Sequence, residues 1–322
     1  MISRNTIRIK VMQSLYTYFL GTEKDIKSCE KKLLTTFEDM YRLYIKLLAL
    51  FAALTYIAEQ VIETKKKLFF AKEEDLNPNR KFIDNQFIEK INKNESLQKA
   101  IQQYGVGWEN DVEMVYVRKI YNTLTNTTAY IRYMQDNEQS FNKDKEFILN
   151  LIEDFLLENE DIILYLGEIK LNWQVDYNDV IIMVYNTLKS FNNKQSDTVS
   201  LPPLFKITDN EAVSEDKTFM SDLFYKTIKH NDYYEELITK KLQNWEVDRI
   251  ATMDFILLKM AICEFCSFPN IPIRVTLNEY IEISKYYSTP KSRIFINGLL
   301  DKILDDLKAE NKINKQGRGL MR

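Results

Sequence analysis

Glycine, proline, cysteine and histidine are all scarce in this chain of 322 residues. Only 7 residues are glycine and 6 are proline, whereas leucine, isoleucine, lysine and glutamate are abundant, which favours an all-α protein over a β-sandwich or an α/β fold. The three cysteines indicate a reducing compartment without a disulfide framework. The single histidine, His230, offers little from which to build a histidine-based metal site or a Ser-His-Asp relay. We therefore predict an all-α protein with no catalytic activity, no cofactor and no bound metal.

The pair Cys263-x-x-Cys266 has the spacing of half a zinc site. A structural zinc needs four ligands, and Cys29 is the only other thiol. Both cysteines lie on a predicted apolar helix, without the strand context of a redox motif. We interpret them as small core residues.

An excess of charge of one sign is also lacking. The formal net charge is -3, so any contact with RNA must use local basic patches. Arg4, Arg8 and Lys10 interrupt the apolar residues at the start of the chain, which argues against a signal peptide. The most apolar stretch, residues 43–62, contains polar residues such as Lys46, so we interpret it as a buried helix and not as a membrane span. We expect a cytoplasmic protein.

The middle of the chain has helical periodicity and is not of low complexity. The predicted helices cover residues 29–70, 84–104, 110–135, 143–166 and 177–191. Loops are indicated at residues 77–79, 105–107 and 192–214.

One part of this middle region is similar to a later part. Lys145–Asp176 aligns with Lys217–Asp248 without a gap, and Asn172-Trp173 then matches Asn244-Trp245. Either this is an internal repeat, in which extra helical units stack on the core, or two unrelated amphipathic helices share a turn sequence.

The C-terminal fifth combines a dense helical pattern with polar residues at fixed spacing. Thr276-Leu277-Asn278-Glu279 predicts a capping box, and Thr289-Pro290 predicts the start of the last helix. Gly298 falls inside that helix, where a glycine usually marks close approach of another backbone.

Those residues resemble the C-terminal signature of the NusB family of bacterial transcription antitermination factors. The matching residues are Asp254, Lys259-Met260-Ala261, Glu264, Ile271-Pro272, Val275, Asn278-Glu279, Ile281-Glu282, Ser284-Lys285, Phe295-Ile296-Asn297-Gly298 and Leu300-Asp301-Lys302. The start of the chain is also similar to the family's basic first helix, through Arg8, Gln13 and Leu15-Tyr16. The resemblance covers residues 4–20 and 217–307.

The resemblance implies a domain layout and a function. Residues 1–20 would be the first helix of a NusB-like bundle, 21–216 a helical insertion (with 145–191 the possible repeat), 217–307 the rest of the bundle and 308–322 a basic tail. The protein would bind a single-stranded boxA-type RNA together with NusE, a ribosomal small-subunit protein, and join the transcription elongation complex during ribosomal RNA synthesis.

The first helix is the first candidate RNA surface. Arg4, Arg8 and Tyr16 follow an i, i+4 series with Met12, so guanidinium groups and a phenol ring share one face that can bind phosphate and stack on an unpaired base. Lys10 lies at the edge of this face. Alternatively, the arginines are ordinary surface charges and the Tyr16 ring is partly buried.

The last helix carries the second candidate RNA surface, formed by Lys285, Lys291 and Arg293 near its N-terminus, where helix amides favour phosphate. The resemblance places Lys291 where the family often has an acid, and matches Phe295 to an aromatic residue at the RNA surface. Phe295 could equally be enclosed by its apolar neighbours.

Two further features have alternative interpretations. The resemblance matches Asp254 to an acid that faces NusE, whereas the residue could also be a surface acid near a helix start. The basic tail, with Lys312 and Lys315 among its residues, could be an RNA-binding arm or only a soluble extension.

The alternative function belongs to a different class. The chain could be a non-catalytic helical scaffold that binds proteins through the insertion and has lost RNA binding. Its net negative charge favours that alternative. So does its first helix, which has only Arg4, Arg8 and Lys10 where the resemblance leads us to expect a denser arginine-rich segment.

Overall fold

A computed structural model describes residues 2–22, 24–205, 214–242 and 250–320. Every regular element in these ranges is helical, which confirms the all-α fold. The chain divides into two compact units: the inserted unit, Thr36–Leu204, and the core unit, Ile2–Thr35 with Phe205–Arg322. The inserted unit is thus shorter at both ends than the insertion expected from the sequence, residues 21–216.

The helices are numbered along the chain. The first ten are α1 (Arg4–Leu20), α2 (Ile26–Lys66), α3 (Glu73–Leu76), α4 (Gln86–Asn92), α5 (Glu95–Tyr104), α6 (Asp111–Thr125), α7 (Thr128–Gln135), α8 (Phe141–Leu151), α9 (Glu160–Ile169) and α10 (Leu171–Ser190). The others are α11 (Glu215–Lys229), α12 (Asn231–Lys241), α13 (Thr252–Ser267), α14 (Ile273–Tyr287) and α15 (Ser292–Ala309).

In the core unit, α13 is the central helix. All residues from Ile256 to Phe265 are buried, so the helix has no solvent-facing stripe along this length. It packs against α1, α11, α12, α14 and α15. Two charged residues, Lys259 and Glu264, are buried with this apolar sequence and therefore require partners.

The starts of α14 and α15 differ from the sequence-based prediction. Thr276 lies inside α14 and bonds to a neighbouring helix, so the predicted capping box with Glu279 is wrong. Thr289 does precede α15, but the helix begins at Ser292, whose hydroxyl accepts a hydrogen bond from the Thr289 amide at 3.2 Å. A side chain inside the last helix thus stabilises the turn before it.

Gly298 of α15 is not a point of close backbone approach to any residue that the structure describes. It is exposed, and a Cβ atom added there would meet no atom within 4 Å. The packing role predicted for this glycine is therefore wrong.

Several helices that the periodicity predicted in the inserted unit are divided into shorter ones. Residues 84–104 form α4 and α5, because the Asn94 side chain accepts a hydrogen bond from the Leu97 amide at 2.8 Å and starts a new helix. Thr127 caps α7 in the same way through the amide of Tyr130. At each break, a side-chain oxygen accepts the hydrogen bond of a backbone amide in place of a helix carbonyl, so one helix ends and another begins.

The long helix α2 supplies the apolar residues 43–62. By length and composition alone it could cross a membrane, but 61% of its most apolar window is buried inside the structure, as in a core helix. Lys46 lies in this stretch because its ammonium donates to Glu113 at 2.6 Å and to the carbonyl oxygen of Gly107 at 2.9 Å. Burial lowers the Lys46 pKa, and the bond to Glu113 opposes that shift.

The proposed repeat is only partly within the described residues. Residues 145–176 run through α8, a short π-helical segment (Ile152–Leu156) and α9 into α10. The matching residues 217–242 form α11 and α12, which meet next to Asn231, the position that matches Asn159 at the start of α9. Asn244, Trp245 and Asp248 lie outside the described residues, so the repeat stays a prediction.

The described part of the C-terminal tail is docked on the core unit. Lys315 donates to the carbonyl oxygens of Phe268 and Glu264 at 2.9 and 3.2 Å, and the amide of Gln316 donates to Pro269 at 2.9 Å. A Cβ atom on Gly319 would lie 1.8 Å from the Pro269 oxygen, so only glycine fits. Up to residue 320 the tail is thus not a free arm.

Candidate nucleic-acid interface

Arg8 and Glu264 are the centre of a buried polar network in the core unit. The Arg8 Nε and Nη2 atoms donate to the two Glu264 oxygens at 2.9 and 2.7 Å. The same carboxylate accepts from the hydroxyls of Thr276 at 2.7 Å and Tyr280 at 3.1 Å. The network joins α1, α13 and α14 through charge-assisted bonds in a site closed to water.

The surroundings of Arg8 complete this pairing. A second carboxylate, Glu279, lies 3.3 Å from Nη1, and the guanidinium lies over the Phe219 ring, 5.1 Å from its centroid. Burial is the largest single influence and lowers the Arg8 pKa. The charge and hydrogen bonds of Glu264, with the smaller contributions of Tyr280 and Glu279, together outweigh it, so the pKa lies above its usual value. Arg8 is charged and fully enclosed.

The expected stripe on α1 is therefore corrected. Arg8 is 1% exposed and Lys10 is 4% exposed, and both have partners inside the chain, so neither side chain faces solvent where RNA could reach it. The i, i+4 periodicity correctly placed these residues on a helix, but could not tell an outward arginine from one that meets a carboxylate of another helix. That carboxylate belongs to Glu264, for which the sequence alone indicated no role.

Two members of the α1 stripe do reach the surface. Arg4 is part-exposed, but its guanidinium pairs with Asp216 at 3.2 Å and with Glu215 at 3.4 Å. Tyr16 is 39% exposed. Among the predicted RNA-contact residues of α1, Tyr16 is thus the one whose side chain is exposed and forms no ion pair or hydrogen bond with a residue that the structure describes.

Asp254 is buried and does not face a partner surface. It is 4% exposed and accepts hydrogen bonds from the hydroxyls of Ser288 and Ser292, the latter at 2.7 Å. These serines lie on either side of the turn between α14 and α15. The partner contact predicted for this side chain is therefore replaced by a positioning role, in which α13 holds the turn before the last helix.

That turn carries the open basic surface of the core unit, which we call the basic corner: Tyr286, Thr289, Lys291, Arg293 and Ile294. All five residues are exposed, with Tyr286 at 81% and Ile294 at 72%. Lys291 and Arg293 form no salt bridge with any residue that the structure describes. The first turn of α15 contains no acidic residue, so its helix dipole adds to their positive potential.

The basic corner differs in membership from the predicted cluster. Lys285 is exposed but pairs with Glu282, one turn earlier on α14, and Phe295 is half-buried with neighbours of its own. Tyr286 and Ile294 were missed. The sequence did contain a signal, because each residue lies off the buried apolar stripe of its helix. An exposed aromatic ring beside cations, such as that of Tyr286, can stack on unpaired bases.

The two thiols of α13 are poorly suited to nucleophilic chemistry. Cys263 is fully buried, and burial raises its pKa to about 11; burial also raises the pKa of Cys266. Among the described residues, no group of three or more His, Cys, Asp and Glu side chains could hold a metal ion.

The fold and this surface define an all-α protein with two exposed cations, Lys291 and Arg293, at a helix N-terminus, where neither forms a salt bridge with a described residue. Comparisons with known proteins give the family. A model of the NusB family matches residues 179–305, which begins within α10 of the inserted unit. Three curated relatives carry the name transcription antitermination protein NusB. They come from Salinibacter ruber (45% identical over 105 residues), Chloroherpeton thalassium (37% over 105) and Thermodesulfovibrio yellowstonii (39% over 102).

The chain belongs to the NusB family. The matched segments cover 33%, 33% and 32% of this chain and 66%, 50% and 68% of those relatives, respectively. The first two relatives are thus spanned over less than two thirds of their length. No solved structure matches the chain.

Proposed function

We propose that this chain is a non-catalytic, cytoplasmic RNA-binding factor that acts in transcription antitermination during ribosomal RNA synthesis. It binds a single-stranded boxA-type RNA through the basic corner, together with NusE, and joins the transcription elongation complex. The name of its relatives, transcription antitermination protein, supports the process. The RNA and the partner come from the family resemblance.

The basic corner is the observation that carries this proposal. Lys291 and Arg293 are exposed cations without a salt bridge to described residues, beside the positive end of α15. Tyr286 adds an exposed ring. Phosphates of a single strand can reach the cations and the helix start, while an unpaired base stacks on the ring.

The NusE contact is proposed at the start of α13. Thr252 is exposed and Phe255 is half-buried there, on either side of the buried Asp254. Asp254 bonds to the turn that carries Lys291. A protein bound at this end of α13 would therefore help to hold that turn in place, and RNA bound at the basic corner would do the same, so each should raise the affinity for the other.

Fluorescence anisotropy with labelled single strands tests the RNA part. We expect the wild-type protein to bind a boxA-type strand more tightly than a scrambled strand. The variant Lys291→Ala/Arg293→Ala should lose that preference and part of its affinity. Each phosphate contact that is removed should lower the slope of log affinity against log salt by about 0.7.

Lys217→Ala/Lys229→Ala is the matched control, because it removes two exposed lysines of α11 in the same unit. It should leave the boxA preference unchanged. If boxA and scrambled strands bind equally, or if the control and the corner variant behave alike, the proposal is wrong.

A protein-binding scaffold is the second candidate, favoured by one observation. Leu171, Val175 and Ile182 follow helical spacing on α10 and are 75%, 58% and 51% exposed. An exposed apolar stripe of this kind suits a protein partner. In that case Leu171→Ser/Val175→Ser would abolish partner capture, and RNA affinity would be negligible in the wild-type protein.

A further inference from the structure

The inserted unit ends its longest helix with an unusual tight turn. After α2, the amide of Ala71 donates to the carbonyl oxygen of Leu68 at 3.1 Å, which closes a four-residue turn. Phe69 and Phe70 occupy its two central positions. They are 93% and 87% exposed, and their rings meet edge to face with centroids 4.9 Å apart. We call Lys65–Lys72 the Phe-Phe turn.

Folding does not explain these two phenylalanines. The central positions of turns favour Gly, Pro, Asn, Asp and Ser, which adopt the turn backbone or bond to it. Phenylalanine does neither, and at this exposure Phe69 and Phe70 also contribute almost nothing to a core. Such exposed apolar side chains are typical of binding surfaces.

Lysines flank the two phenylalanines in sequence. Lys65, Lys67 and Lys72 are exposed, and none forms a salt bridge with a residue that the structure describes, whereas Lys66 pairs with Glu63 at 2.9 Å. The segment from Lys65 to Lys72 contains no acidic residue. Unpaired lysines beside free aromatic faces are the combination that binds single-stranded nucleic acid, through phosphates and stacked bases respectively.

We propose that the Phe-Phe turn is a second contact site for single-stranded RNA, separate in sequence from the basic corner and without base specificity. Bases stack on Phe69 and Phe70, and Lys65 and Lys67 bind the adjoining phosphates. This inference rests on the proposed function, because it assigns the same ligand class to another part of the chain. Its role is to add affinity for RNA outside the boxA element.

The local charge favours a strand over an anionic membrane surface. Glu73, Glu74 and Asp75 of α3 follow the turn directly. A flat anionic membrane would be within one Debye length of these carboxylates as well as of the lysines. Repulsion of the carboxylates would then largely cancel the attraction of the lysines. A single strand can follow the lysines and the rings alone and avoid α3.

Two variants of the intact chain test the proposal, with a scrambled single strand as the probe. Phe69→Ala/Phe70→Ala should weaken binding about 10-fold or more, because each stacked base contributes substantially. Lys65→Gln/Lys67→Gln should lower the slope of log affinity against log salt by about 1.4, from two lost phosphate contacts. Both should keep the wild-type melting curve, because the altered side chains are exposed.

Val115→Ala/Leu164→Ala is the matched control, since it removes two exposed apolar side chains elsewhere in the inserted unit. It should bind the scrambled strand as the wild type does. A probe that contains 2-aminopurine should be quenched on binding, and less so with the phenylalanine variant. Unchanged affinity in that variant, or equal loss in the control, would overturn the proposal.

Two comparisons distinguish the effect of the Phe-Phe turn from that of the basic corner and from membrane binding. The phenylalanine variant should weaken boxA and scrambled strands by the same factor, whereas the corner variant changes the ratio between them. If the wild type shows no boxA preference, the proposed function is wrong. The effect of the phenylalanine variant on binding of the scrambled strand still tests the Phe-Phe turn. Phenylalanine-dependent binding to phosphatidylglycerol vesicles, with no phenylalanine-dependent RNA binding, would also overturn it.

Discussion

Arg8 of α1 and Glu264 of α13 form a two-bonded ion pair in the interior of the core unit, with N–O distances of 2.9 and 2.7 Å. The residues are 1% and 0% exposed. Such a pair contributes little net stability compared with an apolar pair, but breaking it is costly because one charge stays buried alone. Two of the polar identities that carry the family resemblance therefore serve to align helices.

Removing Arg8 should destabilise the core unit. Arg8→Ala leaves the Glu264 carboxylate buried with only hydroxyl donors, so we expect a loss of about 3–5 kcal/mol in the free energy of unfolding. Urea unfolding followed by circular dichroism measures it. Arg8→Met/Glu264→Leu, which removes both charges, should lose less. Weaker RNA binding by Arg8→Ala with an unchanged unfolding curve would contradict the structural role.

Asp254 should act on RNA binding through the turn between α14 and α15. In Asp254→Ala the hydroxyls of Ser288 and Ser292 lose their acceptor, which should cost about 1–3 kcal/mol and loosen the basic corner. Hydrogen exchange should then accelerate at the amides of residues 288–293, and boxA affinity should fall. Asp254→Asn keeps one acceptor oxygen and should be intermediate. Loss of NusE binding with unchanged exchange would instead indicate a direct partner contact.

Two glycines should respond oppositely to the same change. At Gly298 an added methyl group meets open space inside a helix, so Gly298→Ala should stabilise the core unit by about 1 kcal/mol. At Gly319 the methyl group would lie 1.8 Å from the Pro269 carbonyl oxygen, so Gly319→Ala should detach the tail and lower stability. Thermal unfolding compares them. A Gly298→Ala variant that folds well but no longer binds a partner would place an interface on that face of α15.

High pH should unfold the core unit through buried tyrosines. Burial, reinforced by the charge of Glu264, raises the pKa of Tyr280 well above 10.0, although Arg8 acts in the opposite direction. The folded state therefore holds this proton more tightly than the unfolded state. The resulting stability is complete below pH 10 and is lost as the pH rises further. Tyrosinate absorbance should rise together with the loss of helical circular dichroism; ionisation of all tyrosines before any loss of helix would contradict this.

The sequence predicted the helices better than it predicted the site. Helical periodicity located α1 and α2 to within four residues at each end, because their apolar stripes are long. It also located the end of α10, although that helix begins six residues earlier than predicted. Asn94 and Thr127 split two predicted helices, and their capping side chains were a readable signal.

The burial of the candidate residues could not be predicted in the same way. Arg8 and its partner are 256 residues apart, and no local pattern indicates that pair. The burial of Asp254 was unpredictable for a similar reason, because the serines that bond to it lie later in the chain, between α14 and α15. Lys291 and Arg293 were predictable because a charge at a helix start, with no acid in the first turn, needs no distant partner.

Coupling between RNA and NusE tests the central claim most directly. The measurement is the affinity of the wild-type chain for a boxA-type strand, with and without saturating NusE from the same organism, and with a scrambled strand as control. NusE should tighten boxA binding about 5- to 150-fold, and boxA should tighten NusE binding by the same factor. Equal and negligible binding of both strands, with or without NusE, would contradict it and favour the protein-binding scaffold.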